Sequence, residues 1–275
     1  MERTSKHGKE PVKPDKIGKA RISSPEVNAM IGHIVPGAGD RLLVRLTREE
    51  IYGLPLLRGE TPGDRLTVRR VRRTAAALRK KGVVRALAPE GFPFWETVLK
   101  QGLRPVETGE LCRALAAPIA LAALEGEGIP PHLASVLLRG ERVTRALRAA
   151  ALELCPRVRQ LLVEAPAGGE ALRQQLRQEF GLPAVEGHAG REVHLTLCFS
   201  RPDGTRPGRT ADLSGETPAP AGCRFGLRQG ALPEDAAALP LLSVLWTSGR
   251  LERDEISVTP IFALDRPEES TYNTG

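Results

Sequence analysis

Residues 134–166 read ASVLLRGERVTRALRAAALELCPRVRQLLVEAP. The run VLLR is short, apolar and bounded by Pro130, Pro131 and Gly140, which marks a buried strand. From residue 141 to residue 154 the period changes. Val143, Leu147, Ala150 and Leu154 recur at helical spacing and give one apolar face. RQLLVEA then returns to strand character. Two strands joined by a helix are a parallel crossover unit, because parallel neighbours cannot be linked by a tight turn.

The same alternation extends on both sides. Upstream, residues 41–46 (RLLVRL) form a strand candidate, followed by a loop punctuated by Pro55, Gly59, Pro62 and Gly63. DRLTVRRVRRTAAALRKKG predicts a helix with Val68, Val71, Ala75 and Leu78 facing inward, Asp64 able to cap it and Gly82 ending it. VVRALAP and LRPVE are strand candidates, and a helix is expected from Thr108 to about Glu125. Downstream, residues 169–180 carry Leu172, Leu176 and Phe180 on one face, and LPAVEG is one more short strand. The pattern implies an α/β fold: a Rossmann-like, mostly parallel sheet with helices on both faces.

Four sections are expected. Residues 1–36 form a basic, disordered arm holding Lys6, Lys9, Lys13, Lys16 and Lys19, and residues 37–190 form the α/β domain. Residues 191–264 are β-rich, with strand candidates EVHLTLCFS and CRFGLRQG, and extend the sheet or cap it. Residues 265–275 are a polar tail.

Composition narrows the class. The chain has 275 residues, 41% hydrophobic and 27% charged, which suits a globular protein with a proper core. Aromatics make up only 4%, so that core must rest on Leu, Val, Ala and Ile. The longest uncharged apolar run, residues 114–124, falls well short of the ~20 residues a spanning helix needs, so no membrane segment is expected. Cys112, Cys155, Cys198 and Cys223 are too scattered for a zinc pair and read as free thiols in a reducing cytoplasm. No signal peptide is expected.

The turn after VLLR carries the chemistry. In dinucleotide-binding turns one glycine permits the sharp bend, a second lets the pyrophosphate touch backbone, and a third lets helix and strand pack closely. Here VLLRGERVTRAL followed by RQLLVEA resembles the NAD(P)-binding half of Rossmann-like proteins, specifically the shikimate-dehydrogenase-like branch, from Ala134 to Val185. That resemblance places Arg139, Glu141 and Thr144 at the three glycine positions and leaves Gly140 as the turn's one glycine. Glu141 would set a carboxylate where two phosphates belong, filling the anion-binding helix N-terminus from within. The resemblance also implies that Glu164 stands where an acid holds ribose hydroxyls. Arg139 and Arg142 could meet a smaller phosphate or a carboxylate. The expectation is therefore no cofactor, with NAD(P) as the alternative. No lysine stands in the context of the resembled family's catalytic Lys–Asp pair.

Other features are read alongside. VPGAGD places its glycines ahead of a strand, which is the reverse of a phosphate turn. PEGFPFWE gathers Phe92, Phe94 and Trp95 as either a pocket wall or a hydrophobic plug. His33, His132, His188 and His194 are scattered without triad or metal spacing. The helix bearing Arg69, Arg70, Arg72, Arg73, Lys80 and Lys81 has no acid after Asp64 to compensate it. This points to acidic residues elsewhere in the fold, an acidic partner or nucleic acid. Three functions follow in order: a non-catalytic binding or regulatory module, an NAD(P)-dependent oxidoreductase with an atypical turn, and a nucleic-acid-associated protein.

Overall fold

The computed structural model describes residues 30–37, 43–61, 66–181, 192–201, 208–218, 220 and 222–262. It is a mixed α/β structure whose strands fall into two mostly parallel sheets and a small antiparallel pair.

The first sheet contains β1 (Ile31–Pro36), β2 (Arg45–Ile51), β3 (Leu54–Thr61), β4 (Arg85–Leu87) and β5 (Arg104–Pro105), in the order β2-β3-β1-β4-β5. All neighbours are parallel except β2, which pairs antiparallel with β3. That hairpin turns on Tyr52 and Gly53, both with positive φ (49° and 72°), a twist that matches the strands it joins. Helix α1 (Val68–Lys80) packs on one face with α2 (Trp95–Leu99), joining Ile34, Leu57, Val71, Ala75, Leu78, Val98 and Leu103 in one core. The helix can approach because the sheet is bare beneath it. A Cβ on Gly59 would stand 2.7 Å from Thr74 Cγ2, and one on Gly32 would stand 2.9 Å from Val83 Cγ1.

Opposite α1, the other face is covered by α7 (Ala238–Thr247), whose Leu241, Val244 and Leu245 pack on Leu56, Leu87 and Val106. Just before α7, the Ala237 amide donates to the Ala88 carbonyl at 2.8 Å. Residues from the far end of the chain thus complete the first sheet's core.

The second sheet is β6 (Ser135–Arg139), β7 (Gln160–Glu164), β8 (Leu195–Cys198) and β9 (Arg209–Asp212), all parallel, ordered β7-β6-β8-β9. Val136, Leu138, Leu161, Val163, Leu195 and Leu197 face α4 (Ala116–Gly126), α5 (Arg145–Leu154) and α6 (Gly169–Phe180) in the largest core. Helix α4 is buried almost all round, as its Ala- and Leu-rich sequence requires. It lies between this sheet and the antiparallel pair β10 (Cys223–Leu227) and β11 (Ile256–Pro260).

Several sequence expectations are corrected. Residues 31–36 are not part of an arm: β1 is the central strand of its sheet, and its interior is buried on both faces, so it shows no alternation to read. The loop expected around Pro55 and Gly59 is β3. Pro55 precedes the first β1 pairing at Leu56, and Gly59 makes room for α1. Residues 37–190 do not build one continuous sheet. The helix from Thr108 divides into α3 (Gly109–Ala114) and α4 at Leu115. Within residues 191–264, strands β8 and β9 extend the second sheet in parallel, and β10 and β11 form the separate antiparallel pair. Asp64, the strand LPAVEG, most of the basic arm and the tail lie outside the described residues.

Candidate functional site

In open parallel sheets, ligands bind beyond the carboxyl ends of the strands. In the second sheet that edge is one row of residues. Register pairs Glu164 with Arg139, Arg139 with Cys198, and Cys198 with Asp212. Residues in register across parallel strands share a face, so a basic group, two acids and a thiol stand side by side. The row is compensated from within: Arg139 Nε lies 3.5 Å from Glu164 Oε2, and Asp212 Oδ1 accepts the Ser214 amide at 2.9 Å.

The connection leaving β6 does not turn tightly. Residues 140–143 run alongside residues 164–167 as a continuation of the strand pair. The Gly140 amide donates to the Glu164 carbonyl at 3.0 Å, and the Val143 amide donates to the Ala167 carbonyl at 2.9 Å. The Ala167 amide donates back to the Glu141 carbonyl at 3.3 Å. Arg142 and Ala167 form a parallel bridge. Helix α5 then starts at Arg145, with Thr144 as its cap; the Thr144 hydroxyl accepts the Leu147 amide at 3.2 Å. The amides of Gly140, Val143 and Leu147 are thus already engaged by the protein.

This corrects the expected mechanism of closure. Glu141 is exposed in the connecting segment, outside the first turn of α5, so its carboxylate does not fill the helix N-terminus. Residues 140–144 intervene because pairing with the β7–α6 segment extends the strand before the helix can begin. Gly140 does serve close packing: a Cβ there would stand 3.1 Å from Leu147 Cδ1. Arg142 is exposed and bridges Ala167 through its backbone.

A second constellation was not legible in the sequence. His33, wholly buried in β1, donates from Nε2 to the Asp235 carbonyl at 3.0 Å. Its Nδ1 faces Glu49 Oε2 at 3.6 Å and has no hydrogen-bond partner among the described residues. Arg58, in register with His33, bridges the two acids, lying 2.7 Å from Asp235 Oδ2 and 3.3 Å from Glu49 Oε1. Burial would lower the Arg58 guanidinium, but Asp235 and then Glu49 more than offset it and hold it above its ordinary value. The four residues come from β1, β2, β3 and the segment before α7, so no local spacing announces them.

The remaining candidates resolve simply. Gly37 follows β1, the reverse of the order expected for VPGAGD; its amide donates to the Thr61 carbonyl at 3.0 Å, and the next described element is strand β2. Phe92 packs edge-on against Phe94 and Trp95, at ring separations of 5.6 and 5.2 Å, inside the α1 core. They act as a plug. All four cysteines are free and buried. Burial pushes the Cys112 thiol up to about 12 and the Cys223 thiol up to about 11, which keeps both protonated and poorly nucleophilic. No group of His, Cys, Asp and Glu among the described residues could hold a metal ion. No helix of the described residues is long and apolar enough to cross a membrane.

No protein-family model matches the chain, and no curated protein matches it. Among solved structures it is similar to the L-tryptophan dehydrogenase from Nostoc punctiforme, with a TM-score of 0.27 and 13% sequence identity. That likeness covers 64% of this chain and 57% of the dehydrogenase, so the chain spans under two thirds of that enzyme's length. At these values nothing of that enzyme's activity passes to this chain.

Proposed function

We propose that this protein is a non-catalytic binding or regulatory module, built on a Rossmann-like scaffold that does not seat a nicotinamide dinucleotide. One observation carries the reading: the pairing of residues 140–143 with residues 164–167 occupies the Gly140 and Val143 amides, while Thr144 satisfies the Leu147 amide. A diphosphate held by those three amides would first have to break those bonds. Glu164, the acid expected to hold a ribose, stands beside Arg139 instead. Four buried, free thiols suit a reducing, cytoplasmic setting.

Titration with NADH and NADPH tests the reading, with thermal melting and the fluorescence of Trp95 and Trp246 as readouts. No change in either signal is expected. Binding in the micromolar range would overturn the proposal in favour of an oxidoreductase with an atypical turn.

A further inference from the structure

Helix α1 carries its charge on the side turned away from the protein. With about 3.6 residues per turn, Arg69, Arg72, Arg73 and Lys80 lie opposite Val71, Thr74, Ala75 and Leu78, which are buried against the first sheet. All four cations are exposed, as is Lys81. None of these five makes an ion pair with a described residue. Arg79 is turned aside to donate to the Val83 carbonyl at 3.2 Å, and Arg70 is half-buried with a partner of its own. Among the described residues, the acids that would make this face an ordinary solvated surface are therefore not engaged with it.

We propose that the outer face of α1 binds the phosphate backbone of a nucleic-acid duplex. This stands whether or not the second sheet takes a dinucleotide. From Arg69 to Lys80 the face runs about 16 Å at 1.5 Å per residue. A duplex presents one phosphate charge per about 1.7 Å of axis, so several phosphates lie within reach of the four cations. The face holds no aromatic residue on which an unpaired base could stack, which favours a duplex over a single strand. It also holds no Asn or Gln to read adenine edges, and its Arg and Lys side chains are assigned to phosphates, which carry no sequence information. A protein partner is the poorer fit. Interface cores are apolar and depleted of charge, and here the large apolar residue exposed on the helix is Val68 at its first position. A lipid surface is poorer still, since the apolar face such a helix would insert is already packed on the sheet.

The test is fluorescence anisotropy of a labelled mixed-sequence duplex with the full chain. Four neutralised phosphates predict a slope of about −3.6 in log K against log salt, hence roughly 150-fold weakening from about 50 to about 200 mM. Two unrelated duplex sequences should bind alike. The combined variant Arg69→Gln, Arg72→Gln, Arg73→Gln and Lys80→Gln keeps good helix formers at exposed positions, so it should melt with the wild type. It should lose at least about tenfold in affinity at the lower salt. A folded variant that binds as the wild type does overturns the proposal, as does wild-type binding that is absent or indifferent to salt. Polyglutamate or phosphatidylglycerol vesicles that compete as well as unlabelled duplex also overturn it, in favour of an acidic protein or a membrane.

Discussion

The ring of His33 and the backbone of Asp235, brought together from opposite ends of the chain, meet at 3.0 Å, with Nε2 donating to the carbonyl oxygen. His33 is wholly buried in the central strand, while the Asp235 side chain is about one-third exposed at 32%. This contact and the Ala237–Ala88 bond fasten the segment ahead of α7 to the first sheet. They are the polar complement to the apolar packing of Leu241 and Leu245. Replacing His33 with Ala removes a buried ring and orphans a carbonyl, and should cost about 3 kcal/mol. Urea unfolding measures it; a loss below about 1 kcal/mol would show that the contact contributes little.

Arg58 and Asp235 form the tightest charged contact in that cluster, at 2.7 Å, with side chains 25% and 32% exposed. Partial exposure screens the pair, so a double-mutant cycle with Arg58→Met and Asp235→Asn should return a coupling of about 1 kcal/mol. Each single variant should be more destabilising than an ordinary surface change, because Glu49 and His33 share the same partners. Additive effects would dismiss the cluster as a cooperative unit.

Alkaline stability follows from Cys112. Its thiol is raised by burial from 9.0 to about 12 in the folded protein, so the unfolded chain releases that proton first as pH rises. Below pH 9 the contribution is fully present; between 9 and about 12 stability should fall by about 1 kcal/mol per pH unit. Cys112→Ala should make that limb shallower when denaturant midpoints are compared across the window, leaving the smaller loss that Cys223 contributes up to about 11. An unchanged slope would place the alkaline sensitivity elsewhere.

Gly59 tests how closely α1 must approach its sheet. A branched side chain there would collide with Thr74, whose Cγ2 already lies 2.7 Å from the missing Cβ, and would lift Ala75 and Leu78 of the helix off Ile34 and Leu57 of the sheet. Gly59→Val should cost about 2 to 3 kcal/mol by overpacking. A melting temperature equal to that of the wild type would mean the helix adjusts freely.

Thr144 tests the cap that closes the β6–α5 connection. Thr144→Ala removes the acceptor of the Leu147 amide and should cost about 1 kcal/mol. NADH titration should stay silent in the variant, since the Gly140 and Val143 amides remain paired with the neighbouring segment. Cofactor binding gained by the variant would assign the closure to the cap alone.

The chain's own periodicities carried much of the α/β reading. Val71, Ala75 and Leu78 in α1, and Leu147, Ala150 and Leu154 in α5, are all buried where their spacing puts them, because one face of an isolated helix must find a core. Strands β4, β6, β7 and β8 were visible as short apolar runs for the same reason. Which strands pair is a different matter. Hydrogen bonds between strands join residues distant in sequence, and nothing local in IGHIVP distinguishes a central strand from a loose segment. The split into two sheets, the extended run of residues 140–143 and the meeting of His33, Glu49, Arg58 and Asp235 all depend on such long-range pairings. Local patterning answers to burial of a face, which neighbouring residues encode; partnership answers to register and topology, which exist only once the whole chain has packed.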